Sequence, residues 1–411
     1  MASLRGFTQW RALTMDKEAT FDTAEPITNA FTENFIGGDP FSVLIDTEDD
    51  TVEINSAEEA GDLNELARRS EGSHEARMTP HTAGFFLSNA LGYVSTTAVD
   101  EPATGFYTHN IHNVPKTKAH NDGELLNSTD IDVDDNSDFP ASGTLLLVGG
   151  HTVAYGEKGS ATQFTSVTAS HPAIAGNEAI YLVRGTSGSV LKSFSVYEEL
   201  GHTQQRRLTG VVVQDLNISC ARKQFAMINA TMLGSGSHSF ISTETRPSLI
   251  TLESPLKASG ATVNIGGTWT GMSMGSGTSL NAVVNNFNWT YTNELEGDEG
   301  YLFNGASADV HARGRAEKIR SSQTMSFDLE FADSTYLDYL TNGTEFAFQI
   351  QFTSSSSYQV DLVFPKCRML DSTVSGGTGT MIESHNVQVM EDSVFGSVDA
   401  IVINKQDGYL K

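Results

Sequence analysis

Alternation of apolar and polar residues with a period of two runs through most of this chain and is typical of half-buried strands. In QTMSFDLEF the apolar residues Met325, Phe327, Leu329 and Phe331 alternate with polar ones, and FAFQIQF at 346–352 repeats the pattern. The stretches LNISC and VNNFNWTYTNE alternate in the same way. The alternation therefore predicts a mostly-β fold, a sandwich or barrel in which one side of each strand faces the core.

Two short helices interrupt the strand pattern. The first is predicted from about Thr82 to Leu91, ended by Gly92, and the second from Ser334 to Thr341, ended by Asn342 and Gly343. The segment at 55–77, NSAEEAGDLNELARRSEGSHEAR, contains glycines and has little apolar face. We therefore interpret it as an exposed loop or arm.

The charge of the chain excludes one class of function. The 411 residues include 25 Lys and Arg against 51 Asp and Glu, a net charge of −26. A surface that holds DNA by charge needs the opposite balance, so a sequence-independent DNA-binding protein is excluded. Only two cysteines occur, Cys220 and Cys367. Their strand-like surroundings favour buried free thiols, with a single long-range disulfide as the alternative.

One block of the sequence stands apart from the rest. It opens with the acidic stretch DIDVDD, contains short strand patterns separated by glycine turns, and ends in the Gly/Ser stretch RGTSG. This is typical of an inserted small β domain, which we place at 114–187 between a first part at 1–113 and a second part at 188–411. The sequence shows no exact internal repeat, although hairpin patterns near 208 and 281 are loosely alike.

Candidate catalytic and metal-binding motifs are weak. GMSMG at 271–275 matches Gly-x-Ser-x-Gly around Ser273, but a loop and a strand follow where a nucleophile elbow needs a helix. DIDVDD has EF-hand spacing, but Asp135 stands where glycine is required and Ala141 where a bidentate glutamate is required. The sequence therefore predicts neither a catalytic serine nor a calcium site.

Three histidines, His109, His112 and His120, fall in a stretch predicted as a polar loop, without partners at metal-ligand spacing. Walker and dinucleotide-binding motifs are absent from the sequence, so we predict no cofactor and no metal. Apolar runs are too short for a membrane helix, and MASLRGFTQWRALTMDK lacks the apolar core of a signal peptide. We therefore expect a protein made in the cytoplasm.

The order of several segments resembles the major tail tube protein of long-tailed, siphovirus-like bacteriophages. These segments are GFYTHNIHN, LKSFSVYEELG, RRLTGVVVQDLNIS with its following hairpin, LNAVVNNFNWTYTNEL, HARGRAEKIRSSQTMSFDLEF, STYLDYLTNG and FAFQIQF. The similarity covers roughly residues 25–113 and 188–400. The insert and the overall length depart from the family pattern.

The resemblance implies a virion structural protein, not an enzyme. Six copies would form a ring, rings would stack, and the strands would join into one barrel around a channel for viral double-stranded DNA. The implied partners are further copies of the chain, the tape measure protein, and the tail-tip and terminator proteins. The protein would be made in the host cytoplasm and reside in the tail, with the loops 57–78 and 292–322 as contacts between rings.

The expected character of the channel lining follows from the negative charge of DNA. A basic lining would retain DNA by counterion release, so the lining is expected to be polar and net negative. In alternating strands the side opposite the core is available to the channel. The candidate channel-facing residues are Asp215, Asn217, Ser219, Ser326, Asp328 and Glu330.

Two alternatives stay open at the level of sequence. The first is a β-rich virion decoration protein or a receptor-binding or carbohydrate-binding protein, to which the abundant Gly, Ser and Thr are equally suited. The second is a hydrolase that uses Ser273 or a carboxylate pair.

Overall fold

A computed structural model describes most of residues 12–409. Outside the described part lie residues 1–11, 25, 27–30, 34–35, 50–62, 100–104, 114–115, 121–122, 126, 135, 137–138, 140, 148–150, 168–170, 177–178, 183–188, 200–204, 242–252, 271–273, 281–283, 296–316, 356–357, 377–378, 393–394, 407 and 410–411. The described part consists mostly of antiparallel strands, which confirms the prediction of a mostly-β fold.

The strands and helices are as follows in chain order. The described strands begin with β1 (Ala12–Lys17), β2 (Phe31–Glu33), β3 (Ser42–Asp49), β4 (Leu63–Arg77), β5 (Tyr93–Val99), β6 (Phe106–His112), β7 (Lys116–Lys118), β8 (Ile131–Asp132), β9 (Gly143–Leu147), β10 (His151–Tyr155), β11 (Glu157–Ser160), β12 (Gln163–Thr165), β13 (Ala179–Leu182) and β14 (Ser189–Val190). They continue with β15 (Phe194–Glu199), β16 (Gln205–Ala221), β17 (Met227–Gly234), β18 (His238–Ile241), β19 (Ala261–Ile265), β20 (Thr268–Trp269), β21 (Met274–Gly275), β22 (Thr278–Ser279), β23 (Val284–Leu295), β24 (Glu317–Glu330), β25 (Glu345–Ser355), β26 (Tyr358–Ser375), β27 (Ile382–Val389) and β28 (Asp399–Asn404). The helices are α1 (Pro80–Leu91) and α2 (Thr335–Thr341).

Helix α1 forms where the sequence predicts it. Its cap residue Thr79 accepts a hydrogen bond from the backbone N–H of Thr82 through its side-chain oxygen, at 3.1 Å, and Pro80 begins the helix. Gly92 ends it in the left-handed conformation, with a φ of 99°. Every residue of α1 is buried, so the helix is part of the core.

Helix α2 also agrees with the prediction. It begins one residue later than expected, with Ser334 at its cap, and ends at Thr341. The backbone N–H of Asn342 bonds to the carbonyl of Asp338 at 3.0 Å, and Gly343 follows with a φ of 62°. In contrast to α1, none of the residues of α2 is buried.

Eight strands form a continuous antiparallel path through the main sheet. Their order is β3, β4, β17, β16, β23, β24, β27 and β26. At the far end of the path, β26 also pairs with β25 and β28 through its first half. Strands β14, β15 and β18 also pair directly with strands of the path.

Strand β16 changes partners halfway along its length. Its first residues pair with β15 and β18, whereas residues from Val212 onward pair with β17, and those from Asp215 onward also with β23. Gly210, with a φ of 62°, lies at the change of direction, and a Cβ there would approach the Cβ of Ser235 to 2.8 Å. The buried Glu18 accepts a hydrogen bond from the backbone N–H of Gly210 at 3.0 Å, which ties the segment after β1 to the bend.

The core lies beneath the eight-strand path and around α1. The apolar residues of the predicted alternation are buried, as expected, in β16, β24 and β25. Phe331 is an exception, because β24 ends at Glu330 and Phe331 is 36% exposed. Among the described residues of this core, the largest fully buried side chains are Trp289, Tyr291, Phe85, Phe86, Phe194, Phe287, Phe327, Phe348, Phe352 and Phe364.

The prediction of long loops at 57–78 and 292–322 is wrong for most of the described residues. Leu63–Arg77 instead forms strand β4. Small or polar residues fill its inward positions, and larger side chains from other segments of the chain cover them. The ring of His74 lies 5.2 Å from that of Phe86, and a Cβ on Gly72 would touch Phe41. Residues 292–295 end β23 and 317–322 begin β24, while 296–316 lie outside the described residues.

Strands β7 to β13 form a separate module within the predicted insertion. They make a four-stranded sheet, β10-β9-β13-β7, and a three-stranded sheet, β11-β12-β8. Among the described residues none of these strands pairs with the main sheet. The module has its own apolar cluster, formed by Ala119, Ile131, Val133, Phe139, Leu145, Leu147, Val153, Tyr155, Phe164, Val167, Ile174 and Ile180.

Candidate functional site

An extensive polar surface with internal order covers one side of strands β17, β16, β23, β24 and β27. We call it the polar face. It is formed by Asp215, Asn217, Ser219, Asn229, Thr231, Asn286, Asn288, Thr290, Thr292, Ser322, Thr324, Ser326, Asp328, Glu330, Ser384, Asn386 and Gln388. These residues stand opposite one another in register, so they share one side of the sheet.

Hydrogen bonds between neighbouring strands connect side chains across the polar face. The side-chain amide of Asn217 donates to Asn288 Oδ1 and to Thr290 Oγ1, both at 2.8 Å. Thr292 Oγ1 donates to Asp215 Oδ1 at 2.7 Å. These bonds fix the side-chain rotamers, so the face is an ordered polar surface.

The polar face carries negative charge only. At every second position on this side, over 215–221, 227–233, 286–292, 322–330 and 382–388, there is no lysine or arginine. The carboxylates are those of Asp215, Asp328 and Glu330. Arg222, in the turn after β16, pairs with Glu330 at 2.5 Å and offsets that charge at one end of the face.

The opposite side of the same strands is apolar. Trp289, Phe287 and Phe327 are almost completely buried there, between the polar positions of β23 and β24. The Trp289 Nε1–H donates to Gln323 Oε1 at 3.1 Å, which satisfies the one polar atom of that side chain. Because this side forms the core, the polar face is the side that can meet a partner or a channel.

Two titratable groups beneath the face, His385 and Cys220, are neutral at pH 7. Burial lowers the pKa of His385 to about 4, with the carboxylates of Asp328 and Asp371 acting in the opposite direction. Burial raises the pKa of the Cys220 thiol to about 11, so it stays protonated and weakly nucleophilic. These groups add neither charge nor reactivity to the polar face.

All six residues predicted to line a channel lie on the polar face. The three from β16 and the three from β24 are separated by β23, which pairs with both strands. The sequence reasoning missed Asn286, Asn288, Thr290 and Thr292 of β23 and the polar positions of β17 and β27. The alternation in VNNFNWTYTNE, MINATML and IESHNVQV was the signal that could have found them.

The other sequence candidates do not form a site in the described residues. His109 and His112 are buried in strand β6, which corrects their assignment to a polar loop. The ring nitrogens of His109 lie 2.9 Å from Thr96 Oγ1 and 3.1 Å from Asn404 Oδ1, so this histidine is held by hydrogen bonds within the core. Ser273 lies outside the described residues.

The cysteines, the possible metal ligands and the helices of the described residues add no further functional site. Cys220 and Cys367 are both buried and free, as the sequence favoured. Within the described part of the chain, no group of three or more His, Cys, Asp or Glu residues could hold a metal ion. None of the described helices is long and apolar enough to cross a membrane.

Comparison with known proteins agrees with the features described above. No curated protein matches the chain. The family model of the phage tail tube protein matches residues 11–389, which includes both parts of the main sheet and the module. The protein therefore belongs to the phage tail tube protein family and is a structural component of the virion tail.

Proposed function

We propose that this protein assembles into closed rings that stack into a hollow tube, and that the polar face lines the conduit for viral DNA. The observation that carries the proposal is the polar face itself, an ordered surface without lysine or arginine that backs directly onto the core. The family resemblance implies the tape measure protein and the terminator and tail-tip proteins as further partners.

The charge of the polar face suits the passage of DNA. Each cation that neutralises a phosphate releases counterions and strengthens binding, so a lining rich in lysine or arginine would retard the genome. Amides, hydroxyls and the carboxylates of Asp215 and Asp328 offer no such contact. DNA can therefore slide along the face without being held.

The width of a DNA conduit limits the number of strands around it. Twenty-four strands about 4.8 Å apart have a circumference of about 115 Å, which gives a diameter of about 37 Å before strand tilt widens it. That space admits a duplex about 20 Å across together with the side chains of the lining. The six copies implied by the family resemblance would then contribute four strands each.

The module formed by β7 to β13 is proposed to project from the outside of the tube as an inserted domain at 114–187. Its separate sheets and separate apolar cluster support this placement. The main sheet lies before and after it, with β6 ending at His112 and β14 beginning at Ser189. An insertion at such a position costs little loop-closure entropy.

Replacement of residues 114–187 by a short Gly/Ser linker tests both the proposed function and the module. Electron microscopy of the full-length protein is expected to show hollow tubes with regular outer projections, and the deletion variant should form tubes of the same diameter without them. Full-length protein that never forms tubes would contradict the proposed function. A deletion variant that is folded but does not assemble would show that the module is part of the ring contact.

A further inference from the structure

The main sheet contains the same strand arrangement twice. The first half is formed by β3, β4, β17 and β16, and the second half by β23, β24, β27 and β26. In each half the first two strands are consecutive in the chain, a short helix follows the second strand, and the last two strands form a hairpin. The sheet order is first, second, fourth and third strand in both halves.

The change of pairing partner along one long strand is also repeated in the two halves. The long strand β16 pairs with β15 through its first part and with β17 through its later part. The long strand β26 pairs in the same way, first with β25 and then, from Cys367 onward, with β27. Strands β5 and β6 and the module are additions found only in the first half.

The junction between the two halves shows how one unit joins the next. Strand β16, the last of the first half, pairs antiparallel with β23, the first of the second half, from Asp215 opposite Thr292 to Ala221 opposite Asn286. The polar face crosses this junction without a break, through the hydrogen bonds from Asn217 to Asn288 and Thr290.

The equivalent strands at the two outer ends have no such partner among the strands that the structure describes. Strand β3 pairs only with β4 among the described strands, and β26 beyond Met369 pairs only with β27. Both ends expose apolar side chains. Ile45 on β3 is 47% exposed, and Leu370 and Val374 on β26 are 59% and 39% exposed.

The same side of the sheet continues onto the outer strands, with Ser73, Glu75 and Arg77 on β4 and Arg368, Asp371 and Thr373 on β26. Each chain therefore supplies eight strands. Six chains would bring about 48 strands and a diameter of about 73 Å, whereas three chains bring about 24 strands and about 37 Å. Three chains match the width of a DNA conduit, and six chains exceed it about twofold.

We propose that a ring consists of three chains, each of which supplies two of the six four-stranded units, and that β26 of one chain pairs antiparallel with β3 of the next. This contact copies the β16–β23 junction within the chain. The interface is head-to-tail, so it closes into a ring without leaving a strand edge exposed. The inference rests on the proposed function and replaces the six chains implied by the family resemblance.

The number of chains in a ring can be counted directly from the module, because each chain carries one module, in its first half only. End-on electron microscopy of tubes is expected to show three outer projections per ring on a body with six similar lobes. Native mass spectrometry of the smallest closed assembly should give three times the chain mass of 44.3 kDa. The deletion variant is the matched control, since it should keep the six lobes and lose the projections.

The outcomes separate this inference from the proposed function. Tubes with six projections per ring, or a closed assembly of six times the chain mass, would overturn the three-chain ring and leave the tube function intact. Failure of the full-length protein to form any closed assembly would overturn both.

Discussion

Replacing Ile45 by aspartate is expected to leave the subunit folded and to abolish ring closure. Ile45 is 47% exposed in the single chain, on the edge strand β3, so a polar side chain is tolerated there before assembly. Val43 on the same side of β3 stands opposite the buried Ser70, which places Ile45 on the core side of the sheet. In the ring, β26 of the neighbouring chain would cover it.

The size of this effect follows from the cost of burying a carboxylate in an apolar contact. An unpaired polar group costs roughly 2–7 kcal/mol when removed from water, and an ionised one costs more. The penalty recurs at every contact of the ring. Sedimentation velocity should therefore show a monomer for Ile45→Asp under conditions in which the unmodified protein forms rings or tubes.

Two further variants control this experiment. Leu125→Asp makes the same kind of change on the module, at a side chain that is 82% exposed, and should assemble normally. Leu370→Asp changes the opposite edge and should block assembly as Ile45→Asp does. Normal tubes from both edge variants would show that these edges do not form the ring contact.

Replacing Asp328 by lysine is expected to leave tubes intact and to slow DNA release. Asp328 lies in the middle of the polar face, opposite Asn286 on one side and Ser384 on the other. The change places a cation where phosphates pass, once per chain along the whole tube. Release should be roughly tenfold or more slower at low salt and should recover as salt rises, because added salt weakens phosphate contacts.

The choice of Asp328 rather than Glu330 comes from the structure. Glu330 pairs with Arg222, so its replacement would also break this ion pair and mix two effects. Glu157→Lys on strand β11 of the module makes the same change of charge at an exposed residue away from the main sheet, and should release DNA normally. Unchanged release from well-formed Asp328→Lys tubes would remove this residue from the lining.

The strands with large apolar residues at alternate positions could be predicted from the sequence. At 325–329 of β24 and 346–352 of β25 the inward positions hold bulky apolar side chains, so the period of two is visible there in the sequence alone. Helix α1 was also predicted, with its end marked by Gly92, although its start was placed at Thr82, two residues after Pro80. In these cases local chemistry and the fold agree.

Strand β4 could not be predicted, because its inward positions hold Ser70, Gly72, His74 and Ala76. Their burial depends on Phe41 and on helix α1, which only the folded chain brings together. His109 was missed for a related reason, since it gains its partners from Thr96 and Asn404 on other strands. Whether a small or polar residue is buried depends on the side chains that pack around it, and the local sequence does not show these.

The grouping of the candidate site was only partly visible in the sequence. The side of each strand available to a channel followed from alternation, and all six predicted residues share one surface. That β23 lies between β16 and β24 depends on strand pairing, which the sequence does not specify. The repeated halves were hidden because they share an arrangement of strands, while the insertion and different side chains obscure any repeat in the sequence.

The central claim, that the polar face lines the tube, is tested most directly by cryo-electron microscopy of assembled tubes at a resolution that traces the strands. The account predicts that Asn217, Asn288 and Asp328 point into the lumen, with Trp289 and Phe327 on the outer side of the same strands. A reconstruction in which the polar face points outward, or is buried between stacked rings, would contradict it.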